Sequence, residues 1–139
     1  MIYKKITLGT LAFFISSFVI QGLLGLALVG EYFESISIFR NPPIIHLAFT
    51  QTIITGIAFS ILYPITNIGG TPVLSGLKFG FLIGIIVVPF VALDLPARFM
   101  IPSIETWILV QGVLGITHFT IAGILIGLIY GKDINKIEL

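Results

Sequence analysis

The chain contains no cysteine among its 139 residues. That absence excludes disulfides, thiolate metal sites, iron–sulfur clusters and thiol redox catalysis together. Charge is nearly as scarce. Asp, Glu, Lys and Arg make up 9% of residues, where a soluble domain carries about 25%. The deficit argues against a water-soluble globular fold. It also argues against a disordered chain, which needs high charge and low hydrophobicity. The few charges nearly balance at a net +1, so no basic surface speaks for nucleic acid. There is no P-loop, no G-x-S-x-G, no H-E-x-x-H and no dinucleotide fingerprint. Catalysis needs a base, a nucleophile and an orienting group within reach. In the apolar runs the candidates reduce to a histidine, a few hydroxyls and glutamines, so the expectation is a protein that is not an enzyme.

What the chain does have is apolar length. Hydrophobic residues reach 57% and the mean hydropathy is +1.16. Charge-free gaps cover residues 6–30, 41–77, 79–93 and 106–131, and a helix needs about 20 apolar residues to cross the hydrocarbon core. The second gap is too long for one helix and is broken by Pro64, Asn67, Gly69, Gly70 and Pro72. The spacing therefore predicts a single membrane domain, residues 1–139, with spans at about 6–30, 44–65, 75–94 and 104–131. The fold class is all-α, an integral membrane four-helix bundle. A membrane barrel is excluded because the runs do not alternate polar and apolar residues. The first run has the basic start of a signal peptide, but its 25 residues are too long for an h-region.

Lys4, Lys5, Lys78, Lys132 and Lys136 fall on one side of this arrangement, against Arg40 and Arg98 on the other. The positive-inside rule then places both termini in the cytoplasm. Glu31, Glu34, Asp94 and Glu105 collect on the opposite, outer side. The terminal lysines suit a cap on lipid headgroups.

The two halves resemble each other. At an offset of 60, Glu34, Phe39, Pro42, Ile44 and Gln51 meet Asp94, Phe99, Pro102, Ile104 and Gln111. At an offset of 67, Gly56, Ser60 and Tyr63 meet Gly123, Gly127 and Tyr130. The difference is about two helical turns. The expectation is two similar helical hairpins, repeated in parallel about an axis along the membrane normal.

Glycines mark the expected packing faces. Gly76, Gly80 and Gly84 are four apart on the third span, and Gly123, Gly127 and Gly131 four apart on the fourth. Small residues at this spacing let helix backbones approach in lipid. Thr52, Gly56 and Ser60 form a weaker version on the second span, while Gly22, Gly25 and Gly30 lie toward the outer end of the first. The pattern predicts a bundle cinched at its cytoplasmic end and free to splay at its outer end. Pro89, inside the third span, predicts a kink with a carbonyl freed one turn earlier.

Polar residues in the spans are the candidate site. Trp107, Gln111 and His118 fall within about 40° of one another on a helical projection. They form a stripe set well away from Gly123. Asp94 and Arg98 are one turn apart near the outer interface, although Pro96 between them argues that the helix stops there. They are read either as an interfacial ion pair or as groups at a cavity mouth, with Glu34 and Arg40 as the equivalent pair. His46 and His118 raise the possibility of a haem held by two imidazoles. His46 sits roughly 7 Å higher by helical rise, which weakens that reading, and no compact ligand spacing supports another metal. No cofactor is expected.

The run from His118 through Gly123, Gly127 and Tyr130 to Gly131 has the pattern H-x4-G-x3-G-x2-Y-G. It resembles the last helix of a loose group of small, uncharacterised four-helix prokaryotic membrane proteins. A related form in the second helix keeps Gly56, Ser60 and Tyr63 but has Gln51 in place of histidine. The resemblance implies a four-helix fold in a prokaryotic cytoplasmic membrane and supplies no activity.

Two functions remain. The first is a non-catalytic subunit or scaffold of a larger membrane complex. It would pack through its glycine faces against other subunits, copies of itself and lipid, and hold lipid, quinone or pigment in its grooves. The second is an oligomeric transporter or channel for a small solute, its path lined by the outer charges and His118.

Overall fold

The computed structural model describes residues 2–40 and 42–131. Four helices are long and apolar enough to cross a membrane: α1 (Ile2–Glu34), α2 (Ile45–Thr66), α3 (Pro72–Arg98) and α4 (Ile104–Tyr130). No strand occurs among the described residues. By length and composition these helices mark an integral membrane protein. Leucine, isoleucine and phenylalanine side chains lie exposed along all four helices, the surface that lipid accepts.

Local chemistry sets the helix ends. Asn67 closes α2 in a left-handed conformation, φ 43°, which asparagine tolerates better than most residues. Thr71 then caps α3, its hydroxyl accepting from the Leu74 N–H at 3.3 Å, with Pro72 in the first turn where its missing N–H costs nothing. Two helices widen into π turns, at Phe18–Leu24 in α1 and at Phe90–Asp94 in α3. The second follows Pro89 directly. A proline cannot donate to the helical ladder, and α3 absorbs the defect by widening. It does not stop at Pro96 either. The sequence argues for an end there, yet Leu95–Arg98 continues as a helical turn with Pro96 near its start.

The helices pack unequally. The α3–α4 contact is the most extensive, followed by α1–α2 and α1–α4, while the α2 backbone stands off from α3 and α4 and meets them through the side chains of Phe59 and Tyr63. At the end where Lys5 Nζ donates to the last-turn carbonyl of Tyr130 at 2.9 Å, α3 and α4 run backbone to backbone. A Cβ on Gly76 would strike the Gly123 carbonyl oxygen, and one on Gly123 would strike that of Gly76. Gly80 stands likewise against the Phe119 carbonyl, and Gly127 against that of Pro72. The hydrogens in place of those Cβ atoms point at carbonyl oxygens, an arrangement of weak Cα–H···O bonds that recurs where helices touch. Gly84 packs more loosely, on Ile116 and Phe119 side chains.

Gly131 departs from the expected packing role. No atom of the described residues lies within 4 Å of the place its Cβ would take, and with φ +64° it ends α4. On α1 the close contact comes from Gly9, which meets Ser60, while Gly56 meets the Thr10 carbonyl. Gly30 meets nothing and Gly22 only its own helix. A buried aromatic layer lies beside these contacts. Tyr130 Oη donates to the Ser60 carbonyl at 2.7 Å, and Tyr63 Oη pairs with Ser75 Oγ at 2.6 Å.

At the opposite end α2 stands apart. Every described residue from 42 to 51 is exposed, and the first buried residue of α2 is Gly56. The connecting loops pack there instead, Ile36 and Ile101 around Trp107. Tyr32 Oη donates to the Pro102 carbonyl at 2.8 Å.

If backbone approach holds α3 to α4, Gly123→Leu destabilises the bundle by about 1–3 kcal/mol, the usual cost of overpacking. Gly112→Leu, with nothing within 4 Å of its Cβ position, leaves stability unchanged. Thermal unfolding of both variants in one detergent checks this. Equal losses would mean that the close contact is not what stabilises the pair.

Candidate functional site

Above the glycine contacts the helices diverge, and the space between them is a cavity of about 530 Å³. Its polar lining comes from three helices. Ser17 and Gln21 stand on α1, Gln51, Thr52 and Thr55 on α2, and Gln111 and His118 on α4. Helix α3 contributes only Val87, Val88 and Val91, and aromatic walls come from Phe13, Phe33 and Phe119. Among the described residues none that lines it is charged. A second space of about 300 Å³ between α1 and α2 shares Ser17, Gln21, Gln51 and Thr52 with the first. These shared residues place the two openings on either side of α2.

Several of these polar groups satisfy each other. The Gln51 amide donates to Thr55 Oγ1 at 2.9 Å, and the Thr52 and Thr55 hydroxyls donate to the α2 carbonyls of Ala48 and Gln51. Hydroxyl back-bonding of this kind lets a helix carry threonine in an apolar setting.

His118 is the exception. It is 2% exposed, and neither ring nitrogen has a hydrogen-bond partner of ordinary geometry. The Phe13 carbonyl acts on the ring from α1, but it already accepts from Ser16 Oγ at 2.9 Å. Apolar contacts hold the imidazole in place. The Phe13 ring meets it edge-on at 4.8 Å and Phe119 lies at 5.1 Å. Leaving a buried polar group unpaired costs about 1–3 kcal/mol.

The structure separates residues that the helical projection grouped. Gln111 and His118 face the cavity and Trp107 does not. Its indole N–H donates to the Val91 carbonyl at 2.9 Å in the widened turn of α3. Phe33 stands edge-on to it at 6.4 Å. Trp107 therefore fixes the loop end to α3 rather than lining a path. Asp94 and Arg98 do form their pair, Nε to Oδ1 at 2.9 Å, within the helical turn that Pro96 permits. The pair lies away from the cavity on the surface, its side chains 43% and 70% exposed, where an ion pair contributes little. Glu34 and Arg40 do not pair, since no other ion pair occurs among the described residues. His46 is exposed at the start of α2 and shares no cavity with His118. No cluster of three or more potential metal ligands occurs among the described residues. The lysine cap at Lys132 and Lys136 lies outside the described residues.

Sequence reasoning passed over Ser17, Gln21 and Thr55 as site residues. Ser17 and Gln21 carried a usable signal, two polar residues four apart in the apolar run 6–30. No known protein family, no curated protein and no solved structure matches the chain.

Because His118 has no partner to lose, His118→Leu, a swap of similar volume, raises stability by about 1 kcal/mol. Thermal unfolding of purified protein in detergent measures it. A drop of that size would instead place a hydrogen-bond partner on the imidazole in the folded protein.

Proposed function

We propose that the protein is a non-catalytic integral membrane subunit or scaffold. Its neighbours are other membrane subunits or further copies of itself, in a prokaryotic cytoplasmic membrane with both termini on the cytoplasmic side. One observation carries the reading. The start of α2, residues 45–51, is exposed at every position, and it carries His46 and Thr50 outside the cavity that Gln51 lines. Polar side chains in a membrane face protein or a water-filled cavity, and a helix that its own bundle leaves uncovered meets that condition through a neighbour.

The same reading takes the chain as two similar hairpins, α1–α2 and α3–α4. Gly56 packs on α1 as Gly123 packs on α3, and Tyr63 and Tyr130, matched in the repeat, hydrogen-bond within one layer. A duplicated hairpin built for helix contact suits a packing role.

A second reading, a small-solute transporter or channel, draws on the shape of the cavity. It is polar, and the α3–α4 backbone contact closes the bundle on one side of it, as a path open on one side only requires. Native gel electrophoresis after mild-detergent extraction separates the two. The subunit reading expects co-migration with larger membrane proteins identified by mass spectrometry, lost when Thr50 and Gln51 are both changed to leucine. Migration as a small homo-oligomer, with solute flux into vesicles that His118→Leu abolishes, replaces it with transport.

A further inference from the structure

We propose that the cavity at His118 is a binding site for a neutral, lipid-borne head group carrying a hydroxyl or carbonyl, which enters sideways from the bilayer. This deepens the holding role of the proposed scaffold but concerns the chain by itself, so it is tested without any partner.

Three observations define the ligand. The lining carries no charge, so a charged head group would be desolvated there without a counter-ion. Its polar groups are instead amides, hydroxyls and one imidazole. A neutral imidazole offers one donor and one acceptor nitrogen, and in His118, which lines the cavity, neither has a well-formed hydrogen bond among the described residues. A hydroxyl answers either nitrogen and a carbonyl answers the N–H. The volume, about 530 Å³, is within the range of sites that enclose a small organic molecule, and it exceeds what His118 alone needs for hydration.

The route follows from the helix packing. Helix α2 meets α3 through Phe59 and Tyr63 near the glycine contacts, and away from them Gln51 of α2 and Val87 and Val91 of α3 are exposed residues that line the cavity. The loop end offers no equivalent opening. Ile36, Ile101 and Trp107 pack together there, and Tyr32 ties the first loop to the last at Pro102. The glycine contacts close the other direction. The ligand therefore enters beside α2, most directly between α2 and α3, keeps its tail among lipids and brings its head to His118 past the valines.

Neutral glycerides and quinones both have this chemistry, and native mass spectrometry of the purified full chain distinguishes them. The probes are dioleoylglycerol and a decyl-substituted benzoquinone, with decyltrimethylammonium as the charged comparison. The expected result is a one-to-one adduct with at least one neutral probe and none with the ammonium. His118→Leu weakens that adduct roughly tenfold, the value of one hydrogen bond, while exposed His46→Leu leaves it unchanged. If His118→Leu does not fold, Gln111→Leu takes its place. No adduct with either neutral probe overturns the proposal, as does an adduct that both cavity variants leave unchanged. A negative result here leaves co-migration on the native gel untouched, so failure of the site and failure of the subunit reading are told apart.

Discussion

The rest of the structure depends on the reciprocal backbone contact of α3 and α4 at Gly76 and Gly123. In lipid there is no hydrophobic gain in bringing two apolar helices together, because the tails are as apolar as the side chains. Association must come from close packing and from polar contacts. Gly76, Gly80, Gly123 and Gly127 remove the side chains that would hold the axes apart, and carbonyl oxygens fill the space. Once that contact is fixed, the other helices have less freedom. Helix α1 lies across α4 and brings Gly9 to Ser60, and α2 reaches the bundle through Gly56. The buried tyrosine layer forms beside these contacts.

Close approach along only part of a helix pair has a consequence further along it. Gly84 already meets side chains rather than backbone, and at Gly115 the neighbour is the Val88 side chain. Beyond that level the spacing is set by side chains, and α2 has none that reach. The polar residues gather where the helices diverge, which is what burial energetics require. Backbone and side-chain polar groups tolerate the hydrocarbon region only where protein or a water-filled space receives them. The π turn at Phe18–Leu24 contains Gln21, one of the cavity residues, and such widened turns are frequent at functional sites.

The four apolar helices were legible in the sequence because hydrophobic length and turn residues report them directly. Spacing by four singles out Gly76, Gly80, Gly123 and Gly127, since that period is a property of the helix itself, and each of these four stands against a backbone carbonyl. Gly131 was misplaced by the same rule. It continues the period but sits past the last turn, where positive φ and not packing decides its role. Gly9 lies far from Gly22, the next glycine of its run, and has no period to reveal it. The helical projection put Trp107 on one stripe with His118 because it assumes a straight helix facing one neighbour. Trp107 instead meets the widened turn of α3 and the first loop, contacts between segments far apart in the chain. Pro96 misled for a related reason, since a proline near the start of a new helical turn does not end the helix.

His118 joins these threads. A buried imidazole whose nitrogens lack a well-formed hydrogen bond among the described residues is destabilising by itself. Phe13 and Phe119 hold the ring, the Phe13 carbonyl on its α1 side also accepts from Ser16, and Val88 faces the cavity across from α4. The same glycine contacts bring the Phe119 backbone, next in the chain to His118, against Gly80 of α3. A rigid half and an unsatisfied group at its edge form a preorganised site. The cost of ordering is met during folding, and a molecule that completes the hydrogen bonds gains their full value on arrival. A flexible polar cavity of the same composition would close on its own glutamines and threonines. Here α2 satisfies its polar groups internally, through Gln51, Thr52 and Thr55, so it has no competing claim on the imidazole, which stays available to what enters from outside.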